Sequence, residues 1–231
     1  MKTLGIIGGI SPESTIEYYR WIIATYRQRT HDGSYPALLI NSIDLTRMRD
    51  LIEASELAAL ARHLRNEVKK LAQAGADFGL VAANTPHIVF DDLQRESPIP
   101  LLSIVEATCA AAKKLGLKKL GLLGTRFTMQ GQFYARVFSR EGMMLAVPEP
   151  VDQDFIHDKY LGELVNGVFL DQTRDGLLAA VDRLTQRAGI QGVILGGTEL
   201  PLILREETRN GIPFLDTTRI HAEAAVAEML S

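Results

Sequence analysis

Four short segments of this 231-residue chain carry hydroxyl, amide or titratable side chains directly after small residues. They are residues 8–15 (GGISPEST), 83–87 (ANTPH), 124–129 (GTRFTM) and 197–200 (GTEL). Small residues let a ligand approach the main chain closely. Main-chain N–H groups at a following helix start favour an anion. Loops of this composition predict a site for a small molecule bearing one or two carboxylates. His87, after Asn84-Thr85, is a candidate to line such a site, or to cap or pack a helix. Glycine and threonine after a strand also serve as simple turn and N-cap residues. Here all four loops recur, in order, within a repeat, which isolated turns do not do.

That repeat sets the elements that must position them. Residues 78–87 (FGLVAANTPH) resemble 191–200 (QGVILGGTEL), and aligning Ala83 with Gly197 within them gives an offset of 114. Residues 4–11 match 120–127 at an offset of 116, and 99–112 match 212–225 at 113. Three collinear matches predict an α/β protein made of two pseudo-symmetric parallel-sheet halves, with the site in the cleft between them. The first half is residues 1–104 plus 215–231 and the second is 105–214. Strands are predicted at 4–8, 36–41, 78–83, 100–103, 119–123, 143–147, 191–196 and 213–216, mostly apolar throughout, as parallel strands covered on both faces are. Helical patterns lie between them, and this alternation argues for right-handed crossovers with ligands beyond the carboxyl ends of the strands. One helix opens at Ser11-Pro12, an N-cap followed by proline, with Ile16, Tyr19, Ile23 and Tyr26 on one face. Another opens at Ser55, carries Leu57, Leu60, Leu64, Val68 and Leu71, and ends at Gly75.

Composition narrows the classes. The chain is 46% hydrophobic and 23% charged, with a net charge of −3, values of an ordinary globular protein with no basic footprint for nucleic acid or a membrane surface. Its start, MKTLGIIGG, runs straight into a strand and reads as free of a signal peptide. Cys109 is the one cysteine, so no intrachain disulfide forms; it is expected to be a buried structural thiol and the protein cytoplasmic. Neither a dinucleotide fingerprint, a phosphate-binding loop nor a nucleophile elbow occurs. The five histidines are at least 24 residues apart, which leaves no local metal pair. No cofactor and no metal are therefore expected.

The same four loops resemble the aspartate/glutamate racemase family over nearly the whole chain. GGISPEST is similar to that family's GG-M-S-x-E-S-T opening, ANTPH to C-N-T-x-H, GTRFTM to G-T-x-x-T-M, and GGTEL to G-C-T-E-L. The resemblance implies two pseudo-symmetric α/β domains, a homodimer, and cofactor-independent inversion of an acidic amino acid by two cysteines, one per half. At those two cysteine positions this chain has Ala83 and Gly197. Neither ionises, so the two-thiol mechanism is absent. The binding residues carry over: Asn84, Thr85, Thr125, Thr128 and Thr198 are implied for the substrate's α-carboxylate and amine, and Ser11 with the main chain of Gly8 and Gly9 for the floor. For a distal carboxylate the resemblance asks for a cation. Arg47 in DLTRMRD is the first candidate, since a guanidinium fork matches a carboxylate, and Lys159 in IHDKYLGEL is the second.

Three functions follow. One is an isomerase of this family with an altered mechanism, using Glu199 and His87 beside the vacated positions. Another is a lyase or decarboxylase on the same scaffold, relying on carbanion stabilisation by preorganised donors. The third is a non-catalytic protein that binds an acidic amino acid or related carboxylate.

Overall fold

In the computed structural model, which describes residues 1–231, each of the eight expected runs forms a strand, and a ninth strand appears between the last two. The chain divides into two compact units, residues 1–104 with 218–231, and residues 105–217.

The first unit contains β1 (Leu4–Gly8), α1 (Pro12–Thr30), β2 (Leu38–Ser42), α2 (Leu45–Glu53), α3 (Leu57–Gln73), β3 (Phe78–Val81), α4 (Phe90–Arg95) and β4 (Leu101–Leu102). Its sheet has the order β2-β1-β3-β4 with every pairing parallel. The central strand β1 is buried along its whole length, which is why its sequence is an unbroken apolar run. β3 ends at Val81, so Ala82 and Ala83, expected at the strand's end, already belong to the loop.

Ser11 is the N-cap of α1 with Pro12 behind it, as the sequence suggests. The buried face differs from the expected one. Tyr18, Ile22 and Tyr26 point inward with Ser14 and Thr25, while Ile16 and Tyr19 are 44% and 48% exposed. Two apolar rows run along this helix at helical spacing. The core takes the row that includes Tyr18, whose hydroxyl has a partner in His221 at 2.8 Å. In α3 the expected Leu60, Leu64, Val68 and Leu71 are buried. Leu57 is 37% exposed in the first turn, and the helix starts at Leu57 after Ser55 takes a left-handed conformation.

The second unit contains α5 (Ile104–Lys114), β5 (Lys119–Gly124), α6 (Arg126–Gln130), α7 (Gln132–Arg140), β6 (Met144–Ala146), α8 (Pro150–Gly162), α9 (Asp171–Ala188), β7 (Gly192–Gly196), α10 (Leu200–Ile203), β8 (Thr208–Arg209) and β9 (Ile212–Asp216), followed by α11 (Thr217–Met229). The sheet order is β6-β5-β7-β9-β8. Its first four strands are parallel and follow the order of the first unit's sheet, which is the repeat in three dimensions. β8 adds an antiparallel edge by pairing Thr208 with Pro213 and Arg209 with Ile212. Two residues are too few to leave a periodic signal in the sequence.

Each unit has its own core. In the first, Leu4, Ile6, Phe78 and Leu80 of the sheet pack with Tyr18 and Ile22 of α1 and with Ala222, Ala225, Val226 and Met229 of α11. In the second, Leu123, Val193 and Leu195 pack with Ile156 and Tyr160 of α8 and with Leu177, Val181 and Leu184 of α9. No helix is long and apolar enough to cross a membrane.

Candidate functional site

The first unit presents two of the four loops. After β1 the chain turns through Gly9, whose φ is +80°. A side chain there would meet Ser42 Oγ at 2.6 Å and the Ile43 nitrogen at 2.8 Å, so only glycine fits. The Gly9 N–H donates to Thr15 Oγ1 at 2.8 Å, and the hydroxyls of Ser14 and Thr15 donate to the Ser11 carbonyl at 2.9 and 3.1 Å. The sequence reading offered the Gly9 main chain to a ligand as part of the floor. Its N–H is instead engaged in closing the turn. Ser11 is 1% exposed at the start of α1.

After β3 come Ala83, Asn84 and a single turn of 3₁₀ helix over Thr85–Val89. Ala83 and Asn84 are 6% and 3% exposed, and His87 is 3%. The Ile104 N–H donates to His87 Nε2 at 3.2 Å. That places the ring proton on Nδ1, which donates to the Ala83 carbonyl at 2.9 Å. Burial pushes His87 down to about 4, so the ring is neutral near pH 7. Both nitrogens are spent on main chain, which leaves neither open to a substrate.

Arg47, exposed on α2, lines a cavity of about 460 Å³ together with His63, Asn66, Glu67 and Lys70 of α3. Glu67 is 7% exposed. Burial alone would raise its carboxyl, but hydrogen bonds from Lys70 and Asn41 hold it below its ordinary value. The buried His63 Nε2 has no hydrogen-bond partner. Burial, then the Arg47 charge, lower the pKa of that ring. The cavity therefore offers cations and a donor-capable ring around one neutralised carboxylate.

The second unit presents the other two loops. Thr125 caps α6 by accepting from the Thr128 N–H at 3.3 Å, and the two hydroxyls lie 3.3 Å apart. The Arg126 N–H donates to His157 Nδ1 at 3.2 Å, which ties this loop to α8. After β7, Gly197, Thr198 and Glu199 lead into α10. Thr198 and Glu199 are 2% and 1% exposed. Glu199 Oε2 accepts from the Thr198 hydroxyl at 3.1 Å and from the Tyr160 hydroxyl of α8. Burial and the adjacent Glu199 carboxylate push the Tyr160 phenol well above its ordinary value. A side chain at Gly197 would come within 2.9 Å of both Tyr160 Cζ and Oη.

Lys159, the second cation expected for a distal carboxylate, forms an ion pair with Glu163 one turn along α8, and Glu163 also accepts from the Thr173 hydroxyl. Cys109 is 2% exposed in α5. Burial and then Glu106 push its thiol up to about 11. No three His, Cys, Asp or Glu side chains gather closely enough to hold a metal ion. The helices after three of the loops are single turns, over Thr85–Val89, Arg126–Gln130 and Leu200–Ile203. Only α1 has the length to present the aligned amides that the sequence reading gave to all four.

Sequence reasoning missed Tyr160 and His157. A signal was there: Gln153, His157 and Tyr160 recur at i, i+4 and i+7, and α8 buries all three. Polar residues repeating on the inward face of a helix beside a strand end mark side chains held for a site or a network.

The whole fold has known counterparts. A crystal structure from Yersinia pestis superposes with a TM-score of 0.88 at 34% identity, covering all of both chains. An aspartate racemase homologue from Pyrococcus horikoshii gives 0.82, also at 34% and over all of both chains. In sequence, the broad specificity amino-acid racemase RacX of Bacillus subtilis is 25% identical over 99% of this chain and 98% of its own. The model of the Asp/Glu/hydantoin racemases matches residues 7–225, and the chain belongs to that family.

Proposed function

We propose that the protein carries out cofactor-independent acid–base chemistry at the α-carbon of an acidic amino acid or related small carboxylate. It is an isomerase of its family that works through one carboxylate, Glu199, where the family motif has thiols. The observation that carries this reading is the position of Glu199. It is 1% exposed, two residues beyond Gly197 at the end of β7, and it accepts hydroxyls from Thr198 and Tyr160. Proton transfer needs a titratable group within reach of the α-carbon. Ala83 and Gly197 supply none. His87, with both nitrogens bound, takes a positioning role that fixes the turn over residues 83–87.

Asn84, Thr85, Thr125, Thr128 and Thr198 are assigned to the α-carboxylate and amine, and Arg47 at its cavity to a distal carboxylate. Lys159 is left out because Glu163 neutralises it. The names of RacX and of the Pyrococcus horikoshii homologue support an amino acid as the ligand class. Family kinship also supports a homodimer, which light scattering checks.

One observation favours a second reading, a carboxylate-binding protein without catalysis: with His87 tied to main chain, a single titratable group remains where family inversion uses two. One experiment separates them. Exchange of the α-proton of L- and D-aspartate and glutamate is followed by NMR in deuterated water, with binding measured by calorimetry. Exchange in the wild type, lost at least ~100-fold in Glu199→Gln with affinity kept, is the expected result for removing a catalytic base. Binding without exchange selects the second reading.

A further inference from the structure

Gly197 and Tyr160 occupy adjoining volumes that leave no room for a cysteine. A Cβ on residue 197 would lie 2.9 Å from both Tyr160 Cζ and Oη, closer than non-bonded atoms pack. The Tyr160 ring therefore stands where a side chain at 197 would begin, and its hydroxyl ends on Glu199. Both residues belong to the second unit, and Tyr160 is 6% exposed, held in the core of α8 and α9. His157, on the same face of α8, fixes the helix to the loop after β5 through the Arg126 N–H.

Resting on the reading of Glu199 as the base, we propose that Tyr160 is a catalytic residue, filling the volume of a side chain at position 197 and passing the α-proton between substrate and Glu199. The α-carbon–hydrogen bond breaks as its proton moves to the phenolic oxygen. In the same step the phenolic proton moves to Glu199 Oε2. The electron pair stays on the substrate, delocalised into its carboxylate. Tyr160 is neutral before and after, now carrying the former α-proton, and Glu199 becomes a carboxylic acid; the phenolic and carboxylic protons both exchange with water before the return. Return of the proton reverses each transfer. Such a relay never places a phenolate beside a carboxylate, the arrangement that burial and the Glu199 charge penalise. A tyrosine acting alone as the base would have to start as that phenolate.

The test uses the whole protein. Tyr160→Phe keeps the ring and removes the hydroxyl. The expected result is a loss of α-proton exchange of at least ~100-fold with amino-acid affinity changed less than about threefold, the pattern of an interaction made in the transition state. Wild-type exchange should also show a curved rate dependence on deuterium fraction, as two protons move together. Exchange in Tyr160→Phe within about threefold of wild type would overturn the relay while leaving Glu199 as base. No exchange in the wild type overturns both. A readout independent of activity tests the shared volume. Gly197→Ala should lower the melting temperature in the wild-type background and do so much less in Tyr160→Ala. An equal loss in both backgrounds overturns the exclusion on which the proposal stands.

Discussion

His87 and Ile104 are joined by a main-chain N–H that donates to the imidazole Nε2 at 3.2 Å, with the opposite nitrogen donating to the Ala83 carbonyl at 2.9 Å. One ring thus pins the loop after β3 to the first residue of α5. Replacing it by alanine removes both hydrogen bonds, at a cost of about 0.5–1.5 kcal/mol each. His87→Ala is expected to lower the urea midpoint accordingly. Any exchange activity that remains should keep the wild-type pH profile. A pH profile that loses a limb in the variant would give His87 a chemical role after all.

A second buried ring makes the fold sensitive to acid. His221 accepts from the Tyr18 hydroxyl at 2.8 Å and donates to the Leu102 carbonyl at 3.1 Å. Burial, then the neighbouring His87, lower it to about 3, and burial lowers His87 to about 4. Unfolded, both rings titrate near the ordinary value of about 6.5. As pH falls below that, the unfolded chain binds protons that the folded chain refuses. Stability is therefore fully present above about pH 6.5 and is lost as the pH drops toward the folded values. Each ring contributes a slope approaching about 1.4 kcal/mol per pH unit within that window. Urea unfolding between pH 8 and 5 should show the decline, and His221→Asn should flatten it. A stability that is level over this range contradicts the neutral buried pair.

Gly9 and Gly33 make a matched comparison. Both have positive φ, +80° and +77°, but a Cβ at Gly9 meets Ser42 and Ile43 whereas one at Gly33 meets nothing within 4 Å. Gly33→Ala should cost about 1 kcal/mol, the strain of the left-handed conformation. Gly9→Ala should cost at least about 2 kcal/mol more, since steric displacement adds to the same strain. Equal losses in thermal unfolding would mean that the loop after β1 is free to move aside.

Much of this architecture was legible in the sequence, for identifiable reasons. The strands were readable because parallel strands covered on both faces are apolar throughout, and the repeat fixed the pairing of Ala83 with Gly197. The inward face of α1 was not, because Ile16 and Tyr19 lie in a row as periodic as that of Tyr18 and Ile22. Only the partner of the Tyr18 hydroxyl, His221 some two hundred residues away, separates them. Tyr160 left only a partial signal, the inward polar row it shares with Gln153 and His157 on α8. Its meaning comes from the missing side chain of Gly197, and no local pattern links a helix residue to a vacant volume after a later strand. Lys159 looked like a ligand for a carboxylate until α8 placed Glu163 one turn away.

Arg47 carries the prediction about ligand choice. Arg47→Gln should weaken binding of aspartate or glutamate by about 10- to 100-fold, the range of a lost charge-assisted pair, and leave a monocarboxylic amino acid such as alanine within about threefold. Calorimetric titration of the two ligands decides it. Equal losses for both would place Arg47 outside the distal subsite.

Cys109 supplies a control on thiol chemistry. Buried, with its thiol pushed up to about 11, it should react with iodoacetamide at pH 7.5 at least ~100-fold more slowly in the folded protein than in urea. Cys109→Ala should leave α-proton exchange unchanged. Inhibition of the native protein by the reagent, absent in Cys109→Ala, would restore a thiol to the mechanism.

The central claim is a single carboxylate base in place of two thiols, and the most direct measurement follows exchange and inversion together. Enantiopure aspartate or glutamate is incubated with the wild-type protein in deuterated water. NMR reads deuterium at the α-carbon while chiral chromatography reads the opposite enantiomer. One base that removes and returns the proton predicts exchange faster than inversion, with both lost in Glu199→Gln. Inversion as fast as exchange, or exchange undiminished by Glu199→Gln, would contradict it.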